Sequence, residues 1–212
     1  MDYYQPLLAE EKYHIVSRAT GSEKLFTEPE NYRFFLQRFD KYISPVADIF
    51  AYALLPNHFH FLVEIKPLDC LFDLYKNKNQ HLKTIESALK ENENWQPELV
   101  MQHFSNLLNS YTKSFNKKYG RKGSLFMDYL RRVQIRTNEQ FYSTVFYIHK
   151  NPVHHGLCQK IEEWKWSSYN SILSNVVTGI KRQKIIDEFG TPEQFIAFHD
   201  QPIHLKNAAI VE

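Results

Sequence analysis

His58 and His60 flank Phe59 in the run Pro56-Asn57-His58-Phe59-His60-Phe61. Side chains alternate along a strand, so two histidines at i and i+2 share a face, roughly 6.5 to 7 Å apart along it. Two imidazoles so placed can converge on one divalent metal ion, with Phe59 turned the other way. The plain alternative is a chance histidine pair in a strand. A second pair, Tyr147 and Asn151, stands four residues apart in Tyr147-Ile148-His149-Lys150-Asn151. On a helix such residues are neighbours. A tyrosine oxygen can attack phosphorus and form a covalent intermediate once its proton is removed, and an amide oxygen can complete a metal site. Seen in isolation, this helix reads more simply as carrying a core aromatic and a C-cap.

Other polar residues sit around these pairs. His149, His154 and His155 flank the second motif. His149, two residues after Tyr147, faces elsewhere on the helix and is expected to meet solvent or phosphate. Glu64 shares the parity of His58 and His60, and either backs a ligating histidine or ends the strand at the surface. His14 lies opposite the Tyr13 parity on an earlier strand and is expected at the surface.

Charge is unevenly spread. The chain carries 26 basic and 24 acidic residues, a net +2. Between Tyr111 and Arg136, however, Lys113, Lys117, Lys118, Arg121, Lys122, Arg131, Arg132 and Arg136 face a single acid, Asp128. Such a segment suggests a polyanion-facing surface. Tyr111, Phe115, Tyr119, Phe126 and Tyr129 are interleaved with it, and aromatic faces can stack on unpaired bases. The alternative is a solvated helix end whose aromatics belong to the core.

The elements that must position these residues follow from periodicity. KYHIVSRAT alternates as a strand. Pro29 starts a helix with Tyr32, Phe35, Leu36, Phe39 and Ile43 at helical spacing, stopped by Ser44-Pro45. ADIFAYALLP and HFHFLVEI read as strands on either side of Pro56-Asn57. Residues 68–98 are polar and mixed, an insertion or helical arm. From Leu99 to Tyr119 one helical face carries Val100, Phe104, Leu107, Leu108, Tyr111 and Phe115, and Gly120 follows as C-cap. A strand lies within SLFMDYLRRVQIR. NEQFYSTVFYIHKNP is a helix capped by Asn138 and ended at Asn151 by the following proline. Beyond residue 159 the chain is helical, with Trp164 and Trp166 expected to pack a C-terminal helix onto the core. The order gives an α+β, ferredoxin-like βαββαβ fold with an antiparallel sheet and helices on one of its faces, plus a helical insertion and a helical C-terminal extension. The domain reading is a core of 1–158 and an extension of 159–212.

Composition bounds the class. The 212 residues are 43% hydrophobic and 24% charged, as in a soluble globular domain. No run of about 18 apolar residues marks a membrane span, so no membrane partner is expected. The start of the chain lacks an apolar signal core. Cys70 and Cys158 are expected as free thiols in a reducing cytoplasm.

Taken together, PNHFHFLVEI, the GSLF turn at Gly123 to Phe126, VFYIHKNPVHHGL and WKWSSY resemble the single-tyrosine HUH transposases, specifically the REP-associated tyrosine transposases of bacteria. The resemblance runs from about Tyr13 to Tyr169. It implies that His58, His60 and Asn151 hold a divalent metal ion, Mg²⁺ or Mn²⁺, and that Tyr147 is the nucleophile. It implies nicking of single-stranded DNA beside hairpins or palindromic repeats, through a 5′-phosphotyrosine intermediate and a free 3′-OH. The basic 113–136 segment would hold the DNA backbone. A nucleoid-associated cytoplasmic protein follows, with monomer and homodimer both open. The resemblance departs at His154, where relatives often carry Arg, and at 68–98, which matches no compact family core. A protein descended from such a transposase that binds structured DNA or RNA hairpins without cutting is the alternative.

Overall fold

The computed structural model describes residues 4–127, 130–176 and 178–201. Asp128 and Tyr129 of the basic segment, and the end of the C-terminal extension from 202 to 212, lie outside the described residues.

Four strands form one sheet: β1 (Lys12–Arg18), β2 (Ala47–Leu55), β3 (His58–Ile65) and β4 (Arg131–Ile135). Their order is β2-β3-β1-β4, and every neighbouring pair is antiparallel. This is the ferredoxin-like order the sequence predicts. β2 and β3 form a hairpin through Pro56-Asn57, which pairs Leu55 with His58. The crossover from β1 to β2 is α1 (Pro29–Ile43), with Pro29 in its first turn. The crossover from β3 to β4 contains α2 (Leu68–Lys78), α3 (Ile85–Glu91) and α4 (Trp95–Tyr119). α4 starts four residues before the predicted Leu99, because Trp95 and Gln96 are buried and extend its apolar face. The 68–98 arm is thus folded against the domain, with Leu71, Phe72, Leu82, Ala88 and Trp95 all in the hydrophobic core. Gly120 caps α4 in the left-handed conformation at φ 62°, as its position predicts.

α1 and α4 cover one face of the sheet. Phe39 stacks on Phe61 at a centroid distance of 3.8 Å, and Phe35 lies 5.1 Å from both Phe59 and Tyr111. The crossover helices thus share one face, as the ferredoxin-like layout predicts. α5 (Asn138–His154) packs on the opposite face, chiefly against β2. There Ala51 and Ala53 line the sheet, and their small side chains let a helix approach closely. Beyond α5 come one 3-10 turn (Ile161–Glu163), α6 (Tyr169–Leu173), α7 (Arg182–Phe189) and α8 (Pro192–His199). The predicted helix through Trp164 and Trp166 is instead a turn that meets the edge of β2 at Ser167, which bridges to Ala53. Leu54 N–H donates to Trp166 O, Ser168 N–H to Tyr52 O and Trp164 Nε1–H to Leu54 O, at 2.9, 2.9 and 3.0 Å. An otherwise open sheet edge is covered in this way. Both tryptophans pack as expected: Trp166 stacks on Tyr32 at 4.5 Å and 8°. Among the described residues, no helix is long and apolar enough to cross a membrane.

Candidate active site

The β1–β3 register sets the site. Val16 lies opposite His60, and His14 opposite Leu62. His14, His58 and His60 therefore share the face that α5 covers, while Tyr13, Ile15, Phe59 and Phe61 face α1 and α4. Thr137, not Asn138, caps α5: its Oγ1 accepts a hydrogen bond from Gln140 N–H at 3.1 Å. The helix continues through Pro152 to His154 rather than stopping at Asn151. A proline in the last turn forfeits one backbone hydrogen bond, a small loss where packing holds the turn. Asn151 is therefore a buried helical residue and not a frayed end.

α5 carries Tyr147 and Asn151 to the histidine face. Asn151 Oδ1 lies 3.2 Å from His58 Nε2. The Tyr147 ring stands edge-on to His60 at 5.4 Å and to His14 at 5.9 Å. The four predicted site residues thus come together across 93 residues of sequence. All are buried: His60 and Asn151 are 0% exposed, Tyr147 4% and His58 9%. Exposed His155 lies with its ring 5.0 Å from that of His58, at the margin of the group.

Proton positions follow from the partners. His58 has an acceptor at each ring nitrogen, Asn57 Oδ1 at 2.8 Å from Nδ1 and Asn151 Oδ1 at 3.2 Å from Nε2; with a single proton, on Nδ1, Nε2 presents a lone pair. In that tautomer Nε2 and Asn151 Oδ1 are two acceptors facing one another at 3.2 Å. His60 Nε2 is buried without a partner, as is Asn151 Nδ2. Burial, followed by the neighbouring His14, His58 and His155, holds His60 well below the usual histidine range, so it is neutral at pH 7. Two acceptors about 3.2 Å apart match the spacing of adjacent ligands on one cation bound at about 2.1 Å. The residues therefore fit a divalent metal ion held by two imidazoles and an amide oxygen. No group of three His, Cys, Asp or Glu side chains suited to a metal ion occurs among the described residues.

His14 departs from its expected surface position. It is wholly buried, and its Nε2 lies 3.0 Å from His60 Nδ1. Its strand parity is legible in the sequence, but its burial depends on α5 covering that face. His149 also departs from expectation, since it meets neither solvent nor phosphate. His199 Nδ1–H donates to Phe195 O at 2.8 Å, so His199 Nε2 accepts from His149 Nδ1–H at 2.9 Å. His149 Nε2 then accepts from Ser168 Oγ–H at 2.7 Å, and Ser168 Oγ accepts from Tyr52 N–H at 2.8 Å. This order resembles a serine triad, but Ser168 and His149 are fully buried and every donor is committed. Its effect is to pin α5, on the side away from Tyr147, to β2 and α8. Burial pushes His149 well below its usual range and His199 down to about 4, so both are neutral. Glu64 ends its strand in ion pairs with Lys12 at 3.4 Å and Lys184 at 3.1 Å, the surface role among its two readings.

The basic segment divides into two groups. Lys118 is paired with Glu28, and Arg121 with Glu23. Arg132 donates to the carbonyls of Gln5 and Tyr4 at 2.5 and 2.9 Å. Arg136 Nε reaches Gln134 Oε1 at 3.2 Å. Lys113, Lys117 and Lys122 are exposed, and Arg131 is half-buried on β4. Tyr111, Phe115 and Phe126 belong to the core, as the plainer reading of the aromatics has it. Cys70 and Cys158 are free thiols.

No protein-family model and no curated protein matches the sequence. Among solved structures, the chain is similar to a REP-associated tyrosine transposase bound to a REP hairpin. The TM-score is 0.55, and the match covers 82% of this chain and 86% of that one at 16% identity. At that identity the likeness is one of architecture, and the chain shares its fold with that transposase.

Proposed function

We propose that the chain is a transposase-like nuclease and strand transferase that nicks single-stranded DNA beside hairpins, using Tyr147 as nucleophile. The observation that carries this reading is the meeting of His58, His60, Asn151 and Tyr147 on the sheet face beneath α5. The neighbour of like fold binds a REP hairpin, which supports a hairpin substrate. His58, His60 and Asn151 would hold the divalent ion. Mg²⁺ and Mn²⁺ both suit the reaction, and imidazole nitrogen favours Mn²⁺. When bound, the ion offsets the charge that develops on the scissile phosphate.

Tyr147 Oη forms a bond to phosphorus and the bond to the 3′-oxygen breaks. The product is a 5′-phosphotyrosine, and the tyrosine proton ends on the released 3′-OH. Because one phosphodiester replaces another, the step reverses without a nucleotide cofactor. The pinning of α5 by Ser168 and His199 holds the nucleophile in register with the histidines. Lys113, Lys117 and Lys122 offer exposed cations to the DNA backbone.

A second reading, a hairpin binder that does not cut, is favoured by the burial of Tyr147, which is 4% exposed. One assay separates the two. Hairpin DNA with a labelled strand is incubated with the protein and Mn²⁺ and run on a denaturing gel. Transfer of label to the protein, lost in Tyr147→Phe, supports the nuclease. Retardation on a native gel without covalent transfer in any metal supports the binder.

A further inference from the structure

We propose that His14 is a positioning residue that fixes the tautomer of His60, so that the unpartnered Nε2 of His60 presents a lone pair. This inference rests on the metal site of the proposed function. His14 Nε2 and His60 Nδ1 are 3.0 Å apart in a fully buried setting, and one proton lies between them. Two assignments are open to a neutral pair. If His14 donated, neutral His60 would carry its proton on Nε2. That N–H would be buried without an acceptor, at a cost of about 1–3 kcal/mol. If His60 Nδ1–H donates instead, Nε2 is a lone pair, the form in which imidazole ligates a metal. The geometry therefore selects His14 as acceptor.

The arrangement parallels the outer partner that orients most metal-bound histidines, with a neutral imidazole in place of the more usual carboxylate. A neutral partner adds no negative charge. Together with two imidazoles and an amide, it leaves the charge of a bound cation undiminished for a phosphate. The position of His14 is set by the sheet. On β1 it is diagonal to His60, with its ring 5.1 Å away at 27°, and Tyr147 closes over both rings.

Two measurements on the full chain test this. The first is long-range ¹⁵N–¹H correlation of the histidine rings at neutral pH without metal, on the unaltered protein. The expected result is His60 protonated on Nδ1, and protonation on Nε2 overturns the proposal without any variant. The second is calorimetric titration with MnCl₂. His14→Phe, which removes the acceptor but fills the space, is expected to weaken Mn²⁺ binding by about 10- to 100-fold. His14→Gln, whose amide oxygen can accept the Nδ1 proton, is expected to recover most of it. Normal Mn²⁺ affinity in a folded His14→Phe overturns the role of His14 alone. Absence of Mn²⁺ uptake by the unaltered chain overturns the metal reading, and this inference with it.

Discussion

The two faces of the sheet are built from the same strands and differ in kind. On the α1–α4 face, β3 presents Phe59 and Phe61, met by Phe35 and Phe39 in a dry aromatic cluster. On the α5 face, one residue out of step, the same strand presents His58 and His60, met by His14, Tyr147 and Asn151. Both faces are buried and each holds an unpartnered polar atom, Ser17 Oγ beside Phe59 on one and His60 Nε2 with Asn151 Nδ2 on the other, but only on the histidine face do two meet in one cluster of polar side chains. Orphaned polar atoms inside a packed domain are an arrangement that folding alone penalises. One face is built of packed aromatic rings, while the other gathers the polar groups that, under the proposed function, would hold a metal ion and present Tyr147. A one-residue slip of β3 would exchange the two roles, so the apolar face also fixes the register of the histidines.

Substitutions at adjacent residues separate the faces. The largest effect is expected at His60→Ala, which should abolish label transfer from hairpin DNA and Mn²⁺ uptake by calorimetry. Its loss of stability should be modest, about 1–2 kcal/mol. Phe61→Ala, one residue on, should cost about 3–5 kcal/mol in denaturant unfolding. The folded fraction should retain its Mn²⁺ affinity. Equal effects of the two on stability would erase the distinction between the faces.

The covering of the histidine face has its own pH signature. An unfolded histidine titrates near 6.5, whereas burial holds His199 at about 4. Below pH 6.5 the unfolded chain therefore binds the proton first. The contribution of His199 is whole above that pH and is lost as pH falls toward 4, by about 1.4 kcal/mol per unit. Thermal unfolding followed from pH 7 to pH 4.5 should show this fall, and His199→Gln should lessen it, the remainder belonging to the buried His60 and His149. The smallest effect concerns DNA. Replacing Lys113 and Lys117 with alanine should leave stability unchanged. It should lower the salt dependence of hairpin binding by about 0.7–0.9 for each phosphate that is no longer neutralised.

Much of this is legible in the chain. Alternation places His58 and His60 on one face and Phe59 on the other, and helical spacing pairs Tyr147 with Asn151. Both are local periodicities, which sequence records directly. His14 and His149 depart from their sequence readings for a common reason. The parity of each is evident, but burial depends on what lies above, and α5 and α8 arrive from far along the chain. Asn151 reads as a frayed end because a residue before proline usually leaves the helix, a local preference that packing overrides here. In the basic segment, charge can be counted, but the partners of Lys118 and Arg121 lie about ninety residues upstream.

If the histidine face presents Tyr147 to phosphorus, the DNA must become attached at that residue and at no other. After reaction with hairpin DNA and Mn²⁺, nuclease trimming leaves a short nucleotide on the protein. Trypsin then releases residues 137–150, which contain both Tyr142 and Tyr147. Tyr142 donates its hydroxyl to Glu188 O, away from the histidines, and serves as an internal control. Fragmentation of this peptide by mass spectrometry is predicted to place the added phosphonucleotide on Tyr147. Attachment at Tyr142 or at any other residue, or an unmodified peptide although the DNA has been cut, would rule out Tyr147 as the nucleophile.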